Sequence, residues 1–252
     1  MSRAPLAVAL LALGAAGACG DGDEASDAPP RLVVSAASSM TQPLGECSRG
    51  FGGADVRLSF AGSDELAAQI RQGVKPDVYA AASTSIPAAL QAEGRVEAPV
   101  EFVANSLVVA VPRGSAIRTP EALARSGTTV VVGSESVPVG SYTRELLSRF
   151  PPTLERRILA NVRSEEPDAR GIVGKLVQGA ADAGFVYASD VRAAAGELRA
   201  IPLPGELQPA VVYAAAVVRG AAQPALARRY VRGLADGRCQ RALLSAGFAP
   251  IK

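Results

Sequence analysis

Four short segments of this chain share one chemical grammar. Ala36-Ala37-Ser38-Ser39 follows the apolar run 32–35, and Phe60-Ala61-Gly62-Ser63 precedes the amphipathic stretch 64–72. Val137-Pro138-Val139-Gly140-Ser141 precedes 142–150, and Glu166-Pro167-Asp168-Ala169 precedes 170–178. Each reads as small or hydroxyl-bearing residues at a helix start. A serine at an N-cap offers its hydroxyl, and the first-turn N–H groups behind it have no partner inside the helix. Such an end attracts an anion. One such turn is ordinary in α/β proteins, so the weight lies in the set, whose members can point at one place.

The ligand groups within these turns are neutral hydroxyls and backbone N–H donors, with no Arg, Lys or His among them. Donors of that kind suit a small, fully ionised anion whose oxygens only accept hydrogen bonds. A protonated anion such as hydrogen phosphate wants a carboxylate acceptor, which Asp64 or Asp168 could supply.

Histidine is absent from all 252 residues, which removes the usual general base and the Ser-His-Asp and Cys-His arrangements. An enzyme using Ser39 as nucleophile would need a lysine or carboxylate base, and Lys75, Lys175 and Lys252 are remote from the turns in sequence. The chain is therefore read as a non-enzyme without a cofactor. With 26 basic and 24 acidic side chains the net charge is +2, and no basic run interleaves with aromatics, so nucleic acid is not a partner. A transcription-factor effector domain would share the architecture, but the leader described below and the missing DNA-binding segment argue against it.

Strand and helix patterns alternate to position these turns. Runs 32–35, 56–61 and Val78–Ala81 read as strands, followed by helices over 40–51, 64–72 and 86–93; Gly73, Pro76 and Gly94 punctuate them. Alternation of this kind places parallel strands under covering helices. A second set runs through strand 107–111, helix 121–125, strand 129–132, helices 142–150 and 170–178, and strand Ala183–Tyr187. The apolar run 211–218 then leads into helices over Pro224–Leu234 and 239–246. The expectation is an α/β protein of two lobes, 31–106 plus 216–252 and 107–215, each a mostly parallel sheet flanked by helices. Two crossover strands serve as hinge and the ligand lies in the cleft.

The amino terminus reads as a targeting segment over 1–18: Arg3 supplies positive charge, 6–13 an apolar core too short to span a bilayer, and Ala16-Gly17-Ala18 small residues before Cys19. Cys19 reads as a lipid-acceptor cysteine followed by a small, acidic tether through Pro30, although Ala16-Gly17-Ala18 equally fits ordinary signal cleavage. Cys47 and Cys239 then remain, either as a disulfide in an oxidising compartment or as two buried thiols.

Taken in order, Ala36-Ala37-Ser38-Ser39-Met40-Thr41, Phe60-Ala61-Gly62-Ser63 with Gln69-Ile70, Pro76-Asp77-Val78, Asn105-Ser106-Leu107-Val108-Val109, Val137-Pro138-Val139-Gly140-Ser141-Tyr142 and Gly184-Phe185-Val186-Tyr187-Ala188-Ser189-Asp190 resemble the periplasmic molybdate-binding proteins of ABC importers. The resemblance spans residues 32–250. It implies a type II periplasmic-binding-protein fold and a monomer that holds molybdate or tungstate as oxyanion and delivers it to an ABC permease. The location it implies is the periplasm or the outer face of the cell membrane. A binding protein for sulfate or another small anion is the alternative. Carried over motif by motif, the ligand residues are the hydroxyls of Ser39 and Ser63, the backbone N–H groups of Val139 and Ala169, and the Tyr187 hydroxyl. The molybdenum is reached only through the oxygens of its oxyanion. The second turn departs from many relatives in carrying Gly62 and Asp64, which sets a carboxylate beside the anion.

Overall fold

The computed structural model describes residues 28–251. The leader 1–18, Cys19 and the tether to residue 27 lie outside the described residues. β1 (Arg31–Ala37) runs through a single 3-10 turn, Ser38–Met40, into α1 (Thr41–Ser48). The unit repeats as β2 (Asp55–Ala61) with α2 (Ser63–Arg71), and as β3 (Val78–Ala81) with α3 (Ser85–Ala92). Then come β4 (Val100–Asn105), β5 (Leu107–Pro112), β6 (Val130–Gly133), α4 (Pro138–Leu147) and α5 (Pro152–Leu159). β7 (Val162–Glu166), α6 (Ala169–Val177), β8 (Ala183–Tyr187), α7 (Ala188–Ala193) and β9 (Leu198–Pro202) follow. β10 (Val211–Val217), α8 (Pro224–Leu234) and α9 (Gly237–Ser245) close the chain.

Two five-stranded sheets result, with strand orders β2-β1-β3-β10-β4 and β7-β6-β8-β5-β9. In each, three strands pair in parallel and two more join by antiparallel ladders: β1 lies between β2 and β3, and β6 between β7 and β8. The sheets are thus mixed, α/β in class, with helices over them. The chain passes from the first sheet to the second at Ser106 and returns between Pro202 and Val211. Residues 211–215, assigned by pattern to the second lobe, pair with β3 and β4 in the first sheet. An apolar run of this kind records that a strand is buried on both faces, not which sheet it joins.

Hydrogen bonds and a covalent link fasten the carboxyl-terminal return to the first sheet. Buried Asp77 accepts from the N–H groups of Val33 at 2.8 Å and Gln223 at 2.7 Å, so the Pro76-Asp77-Val78 motif is a structural staple. Cys47 of α1 and Cys239 of α9 are joined, with Cα atoms 4.9 Å apart. At the crossing itself, the Gln208 side chain bonds both the N–H and the carbonyl of Leu107, at 3.1 and 2.9 Å.

Candidate functional site

All the turns singled out by sequence meet at one cavity between the sheets. The 3-10 turn contributes Ala37, Ser38 and Ser39; the start of α2 contributes Ala61, Gly62 and Ser63; the start of α4 contributes Val137, Pro138 and Val139. The start of α6 adds Pro167, Asp168 and Ala169, and the end of β8 adds Tyr187. Thus Ser39, Ser63, Val139, Ala169 and Tyr187 line the same space. Its volume is about 20 Å³, far below the several hundred Å³ usual for drug-sized organic ligands. A far wider surface groove, about 850 Å³, is bordered by Glu135, Arg144, Glu155, Arg163 and Glu165. There Arg144 is already paired with Glu135 and Glu165.

The serines reach the cavity by a route other than the expected one. Neither caps a helix: Ser39 lies inside the 3-10 turn behind Ala37, and Ser63 is the first residue of α2 behind Gly62, with no side-chain cap at either end. Their hydroxyls are instead engaged by neighbours, Ser63 Oγ accepting from the Ala82 N–H at 3.1 Å and Ser39 Oγ bonding Tyr213 at 3.0 Å. Only the α6 start is capped by its own side chain, Asp168 accepting from the Gly171 N–H at 2.9 Å. Val139 and Ala169 sit in first turns, where N–H groups have no intrahelical acceptor.

Close backbone approach shapes the third turn. A Cβ at Gly140 would stand 1.9 Å from the Ser134 carbonyl oxygen and 2.4 Å from that of Gly133, so only glycine lets α4 begin this close to the end of β6. Asp64, expected beside the anion, does not line the cavity. Its Oδ2 accepts from Ser136 Oγ of the facing unit at 3.3 Å, because the α2 start presents Ser63 inward and turns the next residue toward the rim.

The field in the cavity comes from helix ends rather than from cations. No basic side chain lines it, and the one charged lining group, Asp168, is spent on its cap. Converging helix starts each present partial positive charge. Tyr187 is 1% exposed and its hydroxyl is buried without a partner. Burial holds that phenol well above its ordinary range, so it is a neutral O–H donor. A buried donor of this sort is costly unless an acceptor arrives.

Sequence reasoning passed over three buried polar groups packed behind the cavity: Asn105, Tyr213 and Asp190. Asn105 stood in a quoted motif without a role, while Tyr213 sits inside an apolar strand and had no signal. Asp190 accepts from the Tyr187 N–H at 3.0 Å, and burial, with Asp168 nearby, pushes its carboxyl up to about 7. In the unfolded chain an aspartate titrates near 3.9. The folded state therefore keeps a proton that the unfolded state has released, and stability falls as pH rises from about 4 to about 7. Asp190→Asn preserves the acceptor and cannot ionise. It is expected to melt higher than wild type above pH 7, by up to about 4 kcal/mol of stability, with the difference closing toward pH 4. Parallel melting curves from pH 4 to 8 would show that Asp190 does not titrate in this window.

Two sheets with a small donor-lined cavity between them define a solute-binding protein. Residues 32–249 match the family described as bacterial extracellular solute-binding protein, and the chain belongs to that family. Among individual proteins it is similar to the molybdate-binding protein ModA of Mycobacterium tuberculosis (strain ATCC 25618 / H37Rv), at 36% identity over 245 residues covering 92% of each chain. The solved Azotobacter vinelandii periplasmic molybdate-binding protein shares the fold, with a TM-score of 0.77, 20% identity, and coverage of 88% of this chain and 100% of that one. The sulfate-binding protein SubI from M. tuberculosis H37Rv also shares it, with a TM-score of 0.79, 17% identity and 88% coverage of both chains. Among the described residues no helix is long and apolar enough to cross a membrane.

Proposed function

We propose that this protein captures molybdate or tungstate between its two sheet units and delivers it to an ABC permease, with no turnover of its own. The observation that carries this reading is the Tyr187 hydroxyl, a buried donor without a partner at the meeting point of the helix starts. The hydroxyls of Ser39 and Ser63 and the N–H groups of Val139 and Ala169 complete a donor set suited to a dianion with four accepting oxygens. The ModA relatives are molybdate-binding by name, and at 36% identity over 92% of the chain the M. tuberculosis relative supports the same ligand here. Molybdate and tungstate present the same oxygens to the same donors, so both are expected to bind.

Calorimetry on the mature protein with molybdate, tungstate, sulfate and phosphate tests the assignment. One molybdate or tungstate per chain is expected, and a preference for sulfate would overturn it. Ser39→Ala, Ser63→Ala and Tyr187→Phe each remove a charge-assisted hydrogen bond of roughly 1.5–3 kcal/mol, and each should weaken binding about ten- to a hundredfold. Wild-type affinity in all three variants would place the site elsewhere.

The lobes are read as 31–106 with the carboxyl-terminal part, and the segment carrying β5 to β9. The protein acts as a monomer in the periplasm or on the outer face of the cell membrane, held by a lipid on Cys19 after removal of 1–18. Fractionation of cells expressing Cys19→Ser checks the anchor: the variant should leave the membrane fraction, and its retention there would remove Cys19 as the attachment point.

A further inference from the structure

Ser39 and Ser63 can serve an anion only if their own protons are free to point at it. For Ser63 the matter is simple, since the Ala82 N–H can only donate, leaving the Ser63 proton uncommitted. Ser39 is different: its partner is the Tyr213 phenol at 3.0 Å, and either oxygen could donate. The direction is set one residue further back. Asn105 Oδ1 accepts from the Ser106 N–H at 2.9 Å, which orients the amide and turns Nδ2 toward Ser189 Oγ at 2.9 Å and the Tyr213 oxygen at 3.5 Å. The last contact is long, yet the amide shows only hydrogens on that side. The phenol oxygen therefore receives, and its own hydrogen is directed at Ser39.

We propose that Tyr213, oriented by Asn105, is a positioning residue that donates to Ser39 Oγ and so turns the Ser39 proton into the cavity as an obligate donor to the bound anion. Without the relay, Ser39 would divide its single proton between the phenol and the ligand. Tyr213 is fully buried and does not line the cavity, so it acts on the anion through neighbours that do, its hydroxyl through Ser39 and its ring through Tyr187. Burial keeps its phenol well above the ordinary range, which preserves the donor. A chain of such bonds in a low-dielectric interior strengthens each member. The proposal rests on Ser39 being a ligand residue, as put forward above.

The test is a set of double-mutant cycles read by molybdate affinity in calorimetry. Tyr213→Phe retains the ring that packs edge-on against Phe102, Tyr187 and Phe248, so the fold should be kept. Alone it should weaken molybdate binding about tenfold. Added to Ser39→Ala it should cost nothing further, while added to Ser63→Ala it should cost its full tenfold. An equal loss in both backgrounds, or no loss in any, would overturn the relay, because a general packing defect does not distinguish the two serines. Should Ser39→Ala itself bind like wild type, the premise fails first and the relay with it, a pattern visible in the single variant. Asn105→Asp asks the same question independently of Tyr213 folding effects. A carboxylate there draws the phenol proton away from Ser39 but also repels the anion in every background, so the relay is read from the difference: Asn105→Asp should lose more affinity when Ser39 is present than in Ser39→Ala, and equal losses in the two backgrounds would overturn it.

Discussion

Gly62→Ala is expected to weaken molybdate binding by up to about a hundredfold while leaving the melting temperature of the unliganded protein nearly unchanged. Gly62 has φ −60° and ψ 142°, an extended conformation open to any residue, so no local strain demands glycine. What demands it is the facing unit: a Cβ would stand 2.7 Å from the Pro167 carbonyl oxygen, and 2.9 Å from Asp64 Oδ1. The Asp64 side chain can rotate away, whereas the Pro167 carbonyl is backbone at the start of α6. Overpacking of this kind costs about 1–3 kcal/mol; we propose that the two sheet units close on the anion and open without it, so that the cost falls on the closed arrangement alone. A ligand that favours the closed state shifts the population only by its differential affinity, so that cost appears directly as lost binding. Small-angle scattering should show wild type contracting with molybdate and the variant contracting less at equal concentration. Wild-type affinity in Gly62→Ala, or a large fall in its unliganded melting temperature, would remove the contact with Pro167 from the closure mechanism.

Breaking the link between Cys47 and Cys239 is expected to give the largest loss of stability of any change outside the cavity. The two cysteines are 192 residues apart in sequence, so the bond closes a loop spanning nearly all of the described fold and restricts the unfolded chain strongly. Removing a native disulfide typically costs about 2–5 kcal/mol, which for a chain of this size lowers the melting temperature by roughly 5–20 °C. The double variant Cys47→Ser/Cys239→Ser and the reduced wild type should melt together, both below the oxidised protein. Neither cysteine lines the cavity, so molybdate affinity below the transition should be retained. Coincident melting of oxidised and reduced wild type would show that the bond does not form or does not matter.

Much of the architecture was legible because hydrophobic pattern is a local property. Val78–Ala81, Ala183–Tyr187 and Pro224–Leu234 appear in the structure with the bounds read from sequence, being short apolar runs or an amphipathic helix opened by proline. The alternation of strand and helix likewise announced an α/β fold. β7 escaped notice because Val162–Glu166 is polar and only half-buried, as an edge strand can be. β4, α5, α7 and β9 were also not distinguished by pattern. The helix starts before 64, 142 and 170 were legible as turns, and the family resemblance named Ser63, Val139 and Ala169 within them and Ser39 and Tyr187 outside them for the ligand set.

Tertiary structure decided what those turns do. Pattern suggests a serine at a helix start but not where its hydroxyl points, and Ser39 and Ser63 turn out to bond Tyr213 and the Ala82 N–H instead of capping. It shows a carboxylate at Asp64 but not that Ser136 of the facing unit donates to it. Tyr213 reads from sequence as one more apolar position in a buried strand; only the fold sets its hydroxyl between Asn105 and Ser39. The physical reason is the same in each case. Helical and strand periodicity record which face of an element is buried, whereas the direction of a hydrogen bond depends on groups brought together from distant parts of the chain.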